Sequence, residues 1–90
     1  MTKPRAEIEY CTQCHWLARA AWLAQELLTT FEDELAEVAL RPGRGGVFVV
    51  RVDGDVVWDR KVDGFPDPVS VKRVVRDRVA PDRQLGHTDK

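Results

Sequence analysis

The chain has no excess of either charge: 14 Lys plus Arg stand against 15 Asp plus Glu, a net charge of -1. It therefore lacks the electrostatic footprint that nucleic acid or an anionic membrane surface requires. Long apolar runs are also missing. The most apolar stretch, Trp16 to Leu28, is broken by Arg19 and Glu26 and is too short and too charged to span a bilayer. The basic start Met1-Thr2-Lys3-Pro4-Arg5 runs directly into Glu7 and Glu9, so no targeting segment is read there. Cysteine is scarce, with two in 90 residues. The expectation is a soluble cytoplasmic protein, where ordinary thiols stay reduced and a purely structural disulfide is out of place. Internal repeats and low-complexity segments are absent as well.

What remains is ordinary globular composition, 43% hydrophobic and 32% charged, which excludes disorder. A chain of this length buries about two-thirds of its surface, enough for one small core. The expected organisation is a single domain over 4–81 with a polar tail over 82–90.

Ala6, Ile8 and Tyr10 alternate with Arg5, Glu7 and Glu9, the pattern of a half-buried strand. The period changes after Cys11-Thr12-Gln13-Cys14. From His15 to about Phe31 a helix is predicted, with Leu17, Ala20, Ala21, Ala24, Leu27, Leu28 and Phe31 as its apolar stripe. Trp16 and Leu23 flank that stripe, while His15, Arg19, Glu26 and Thr30 lie opposite. Val38 and Leu40 suggest a second strand. Arg41-Pro42-Gly43-Arg44-Gly45-Gly46 reads as a loop, with one Pro and three Gly in six residues. Val47 to Val52 and Asp55 to Arg60 read as strands joined by Asp53-Gly54, a strong hairpin signal. Asp67 and Pro68 open a last helix with Val71, Val74 and Val75 inward and Lys72, Arg73 and Arg76 outward.

A strand–helix–strand unit implies a parallel, right-handed crossover, and the hairpin adds an antiparallel pair. The predicted fold is α/β in the two-layer α+β sense, ordered β-α-β-β-β-α, with a four-stranded mixed sheet in a minimal thioredoxin-like layout. In that topology Cys11, the Arg41–Gly46 loop and Lys61–Asp67 share one rim, at the carboxyl ends of strands.

A Cys-x-x-Cys pair between a strand and a helix is a redox context. The helix N-terminus favours thiolate over thiol, one sulfur attacks and the other resolves the mixed disulfide. Cys11 and Cys14 are the candidate catalytic residues. Arg41 and Arg44 are candidate rim contacts, as is Phe65. On the helical wheel Cys14 falls at the edge of the apolar stripe, where desolvation opposes the thiolate.

Two rivals use the same residues. Cys11-Thr12-Gln13-Cys14-His15 matches the covalent haem signature, but the only Met is Met1, the only other His is His87, and the strand pattern does not suit a small helical cytochrome. Zinc would draw on Cys11 and Cys14 with His15 and His87, without the second ligand pair that structural zinc favours. Neither metal nor cofactor is expected. His15 reads as a solvent-facing bystander, Trp58 as sheet packing, and Trp22 as a partner contact. The glycine loop lacks the Gly-Lys-Ser/Thr ending of a P-loop.

Tyr10-Cys11-Thr12-Gln13-Cys14, Arg41 to Phe48, Val52-Asp53-Gly54 and Gly64-Phe65-Pro66 together resemble selenoprotein W and its bacterial cysteine-containing relatives, the SelT/SelW/SelH or Rdx family. Arg76 to Pro81 and Leu85-Gly86-His87 extend the resemblance, which runs from about Arg5 to His87. It implies a thioredoxin-like fold and a thiol-redox role, with glutathione or protein thiols as reactants. Selenium-containing members carry selenocysteine at the second motif position, here Cys14, which implies Cys14 as the attacking sulfur and Cys11 as its partner. The alternatives are a redox-sensitive protein-interaction module without turnover, or a zinc-binding domain.

Overall fold

The structure, a computed structural model, describes residues 2–85. Its elements are β1 (Arg5–Cys11), α1 (Leu17–Thr30), β2 (Glu37–Gly43), β3 (Phe48–Val52), β4 (Asp55–Asp59), α2 (Arg60–Asp63) and α3 (Pro68–Val79). The four strands form one mixed sheet in the order β2-β1-β3-β4. β1 runs parallel to β2 and antiparallel to β3, and β4 returns antiparallel to β3. The result is a two-layer α+β fold of thioredoxin-like layout.

Alternation decides the faces of the sheet. Ala6, Ile8 and Tyr10 are buried and sit beside Val52, Val50 and Phe48 of β3. This face meets the helices. Glu7 and Glu9 lie on the other face, where both carboxylates accept from Arg51, at 3.1 and 2.9 Å. The hairpin closes at Asp53 (φ 50°) and Gly54 (φ 87°), both in the left-handed region that a primed two-residue turn demands. Asp53 also donates its N–H to the Arg5 carbonyl, and its Oδ1 accepts the Arg5 N–H.

Helix α1 differs from expectation in its buried face. Ala20, Leu23, Ala24, Leu27 and Thr30 are buried along with Phe31, whereas Leu17 and Leu28 are 51% and 41% exposed. At 100° per residue the stripe is turned by roughly 60° from the predicted one. The cause is a second neighbour: α1 packs on α3 as well as on the sheet. That contact draws Leu23 and Thr30 inward, and the side nearer β2, at the sheet edge, stays open.

Lys72 was predicted to face outward. It is 2% exposed, with Nζ 3.0 Å from Glu26 Oε1 on α1. A charge leaves water in this way when a carboxylate meets it. The start of α3 follows its sequence: Asp67 Oδ1 accepts the Ser70 N–H at 2.9 Å, Pro68 occupies the first turn, and Val71 and Val75 are fully buried, whereas Val74, also expected inward, is only half-buried. Its many Val residues make docking, rather than intrinsic propensity, the source of its helicity.

The segment after Pro81 lies against the body as far as it is described. Arg83 donates to the Thr30 carbonyl and to Glu34, its guanidinium lies 5.5 Å from the Phe31 ring centre, and Leu85 packs on the core. Residues 86–90 lie outside the described residues, and the proposed zinc or haem ligand His87 is among them.

Candidate functional site

β1 delivers Cys11 to the rim, and residues 12–15 turn the chain into α1. The Cys11 and Cys14 sulfurs are paired across this turn, with Cα atoms 5.3 Å apart. Cys11 is 1% exposed and Cys14 is half-buried. His15 donates its N–H to the Thr12 carbonyl at 3.1 Å and adopts φ 60°. This left-handed residue redirects the backbone, so the helix begins at Leu17 rather than at the predicted His15. Cys14 thus stands in the turn ahead of the helix rather than within it, and is half-buried there, the partial burial its wheel position implied. The N-terminus of α1, at Trp16, has no side-chain cap and no acidic residue in its first turn, so its partial positive charge is left undiminished.

The turn is fastened to β2. Thr12 donates both its N–H and its hydroxyl O–H to the Gly43 carbonyl, at 3.0 and 3.1 Å. Gly43 stands opposite Cys11 in the register. A Cβ there would come within 2.7 Å of Val47 Cγ1 and 2.8 Å of Glu9 Oε2, so this position takes glycine for space. The predicted Arg41–Gly46 loop is accordingly shorter: Arg41, Pro42 and Gly43 continue β2, paired with Glu9, Tyr10 and Cys11. Proline is tolerated because β2 is an edge strand, and its missing N–H costs no ladder bond on the open side.

The candidate rim residues separate. Arg41 leans onto the charged face of the sheet, 3.7 Å from Glu7. Arg44 is exposed and forms no ion pair among the described residues. Phe65 does reach the site: its ring centre lies 4.9 Å from that of Trp16, edge to face, and 6.4 Å from Phe48. A short helix that the sequence pattern did not reveal, α2, carries the chain back to it. Asp59 caps α2 by accepting the Lys61 N–H, and Trp58 Nε1 donates to the Gly64 carbonyl at 2.9 Å. Trp58 therefore fixes the turn before Phe65 in addition to packing on the core.

Two arginines outside the sequence-derived site complete the rim. Arg19 lies 5.0 Å from the Phe65 ring centre, and Arg60 lies 5.3 Å from Trp16 and 5.6 Å from Phe65. Arg60 Nε also donates to the Gly46 carbonyl at 2.9 Å. Each guanidinium gains from the electron-rich ring faces, and neither forms an ion pair among the described residues. A cleft of about 80 Å³ opens beside them, lined by Arg19, Trp22, Leu23, Phe48, Phe65 and Pro66. The available signal was three aromatics, Trp16, Phe48 and Phe65, falling at one rim of the predicted topology.

Among the described residues no group of three His, Cys, Asp or Glu side chains is placed to hold a metal ion. No helix among them is long and apolar enough to cross a membrane.

The chain is similar in sequence and fold to solved proteins. A protein of Bordetella parapertussis is 57% identical, with a TM-score of 0.84 over 87% of this chain and 100% of that one. A selenoprotein W-related protein from Vibrio cholerae is 47% identical, with a TM-score of 0.82 over 86% of this chain and 98% of that one. No curated protein matches. Residues 5–77, which hold every strand, the Cys-x-x-Cys turn and most of α3, match the Rdx family model; the chain belongs to the Rdx family.

Proposed function

We propose that the chain is a small cytoplasmic thiol–disulfide redox protein that exchanges electrons through Cys11 and Cys14, with glutathione or protein thiols as reactants and without metal or cofactor. The observation that carries this reading is the unequal exposure of the two paired cysteine residues, Cys11 at 1% and Cys14 half-buried at the rim. In the reduced form the Cys14 thiolate attacks a disulfide sulfur of the reactant. That S–S bond breaks, one reactant thiolate leaves and takes a proton, and a mixed disulfide remains on Cys14. The Cys11 thiolate then attacks Cys14 Sγ, forms the internal disulfide and releases the second reactant thiol. Two electrons pass from the dithiol to the reactant, and two molecules of glutathione reverse the process. The uncapped start of α1 favours the thiolate. Phe65 and the two arginines stacked on the aromatic rings offer contact to a reactant that carries a carboxylate, as glutathione does.

The experiment is a redox titration. The protein is equilibrated in glutathione buffers of graded potential, alkylated, and weighed intact. The reading requires one two-electron transition between a form taking two alkyl groups and a form taking none. Two thiols that alkylate at every potential would remove it.

A second reading has its own observation. Trp22 and Leu17 are each 51% exposed and Phe65 47%, beside the cleft already described. Trp22 and Phe65, which line that cleft, suit a protein partner that responds to the state of the dithiol without substrate turnover. Turnover with glutathione or a disulfide reductase separates the two: the redox-protein reading requires it, and the interaction-module reading requires partner binding that changes on oxidation.

A further inference from the structure

Among the described residues β2 has a neighbour on one side only. The bond from the Thr12 N–H to the Gly43 carbonyl shows which peptide groups of β2 face β1. By alternation, Glu37, Ala39, Arg41 and Gly43 turn theirs inward, and Val38 and Leu40 present their N–H and C=O groups at the open edge. An open edge is a template for another strand.

The side chains along that edge are self-complementary. Val38 and Leu40 lie on the helix face of the sheet, beside Ala6 and Ile8 in the register. There they border an apolar groove of about 440 Å³ that continues over Ala21 and Leu28 of α1. Leu40 and Leu28 are 37% and 41% exposed. Glu37 and Arg41 lie on the opposite, charged face, and their side chains are 54% and 61% exposed.

We propose that this edge pairs with the same edge of a second copy, antiparallel and centred on Ala39. In this register Val38 and Leu40 of one copy exchange backbone bonds with Leu40 and Val38 of the other, four bonds in all. Glu37 of each copy stands opposite Arg41 of the other, at positions that exchange no backbone bonds, where opposed side chains come closest. The apolar groove of each copy then adjoins the other, and Leu28 and Leu40 leave water. A slip of one residue either way about the twofold axis moves Pro42 or Ala36 against the bonding positions and separates the opposite charges. Pro42, without an N–H, ends the pairing on one side. The contact is isologous, as a twofold dimer requires, and does not depend on the redox reading.

Sedimentation of the full chain at high micromolar concentration tests this. The wild-type chain is expected at twice its 10.2 kDa mass. Glu37→Arg and Arg41→Glu each place like charges together twice, and each is expected to weaken the dimer by about tenfold or more. Mixed in equal amounts, the two variants restore both opposite pairs, and a heterodimer should recover. That recovery also shows that both variants fold. A monomeric wild-type chain would leave the edge to a different partner and overturn the proposal. So would a dimer indifferent to both substitutions, or a mixture that fails to associate.

Discussion

The Gly43 carbonyl accepts two hydrogen bonds from Thr12, one from the backbone and one from the side chain. Through them the turn that carries the dithiol is tied to a neighbouring strand as well as to its own. Thr12→Val removes the side-chain bond and is expected to cost about 1 kcal/mol. Gly43→Ala forces Val47 and Glu9 to move aside and is expected to cost ~1–3 kcal/mol. Chemical denaturation measures both, and a cost of zero for Gly43→Ala would show that the contact around it is loose.

His15 occupies a left-handed backbone position at φ 60°. His, Asn and Gly tolerate it, and β-branched residues do not. His15→Ile is expected to destabilise by roughly 1–2 kcal/mol, while His15→Asn stays near wild type in stability and in thiol reactivity. A large loss of reactivity in His15→Asn would instead give the imidazole a chemical part.

The Glu26–Lys72 pair joins α1 to α3 with the lysine buried. Glu26→Gln replaces the carboxylate facing that ammonium with a neutral amide and is expected to cost about 2 kcal/mol, below the fully buried range because Glu26 is partly exposed. Lys72→Met, which removes the charge and keeps the apolar stem, is expected to cost less. Thermal or denaturant unfolding of the two variants gives the order, and the reverse order contradicts it.

Asp67 caps α3, and the Ser70 N–H holds its carboxyl below the usual value of 3.8. The lowered pKa means that its stabilisation is complete above about 3.8 and fades as pH falls through the still lower folded-state value. Asp67→Ala is expected to cost ~1 kcal/mol near neutral pH. The difference from wild type should shrink in acid below pH 3.8, followed by unfolding curves at a series of pH values. A difference that does not change with pH would contradict the cap.

The sheet was legible because two-residue alternation, the Asp53-Gly54 turn and the right-handed crossover each act locally or by general rule. The Asp67–Pro68 start of α3 was legible for the same reason. Less local features were not. The rotation of α1 and the burial of Lys72 arise from the packing of two helices distant in sequence. The extension of β2 through Pro42 depends on its being an edge strand. The left-handed His15, which takes Cys14 out of the helix, sits where helical periodicity would otherwise run on. At the site the dithiol and Phe65 were visible, but Arg19 and Arg60 read as ordinary polar positions until the rim brought Arg19 to Phe65 and Arg60 to Trp16 and Phe65.

The central claim, that Cys14 attacks and Cys11 resolves, is tested most directly by alkylation rate against pH in Cys11→Ser and Cys14→Ser, followed by intact mass after glutathione disulfide. The account predicts that Cys11→Ser, which keeps Cys14, has a thiol pKa below the reference of about 8.5 and holds one glutathione as a stable mixed disulfide. The lower pKa and the trapped glutathione appearing instead in Cys14→Ser would contradict it and assign the attack to Cys11.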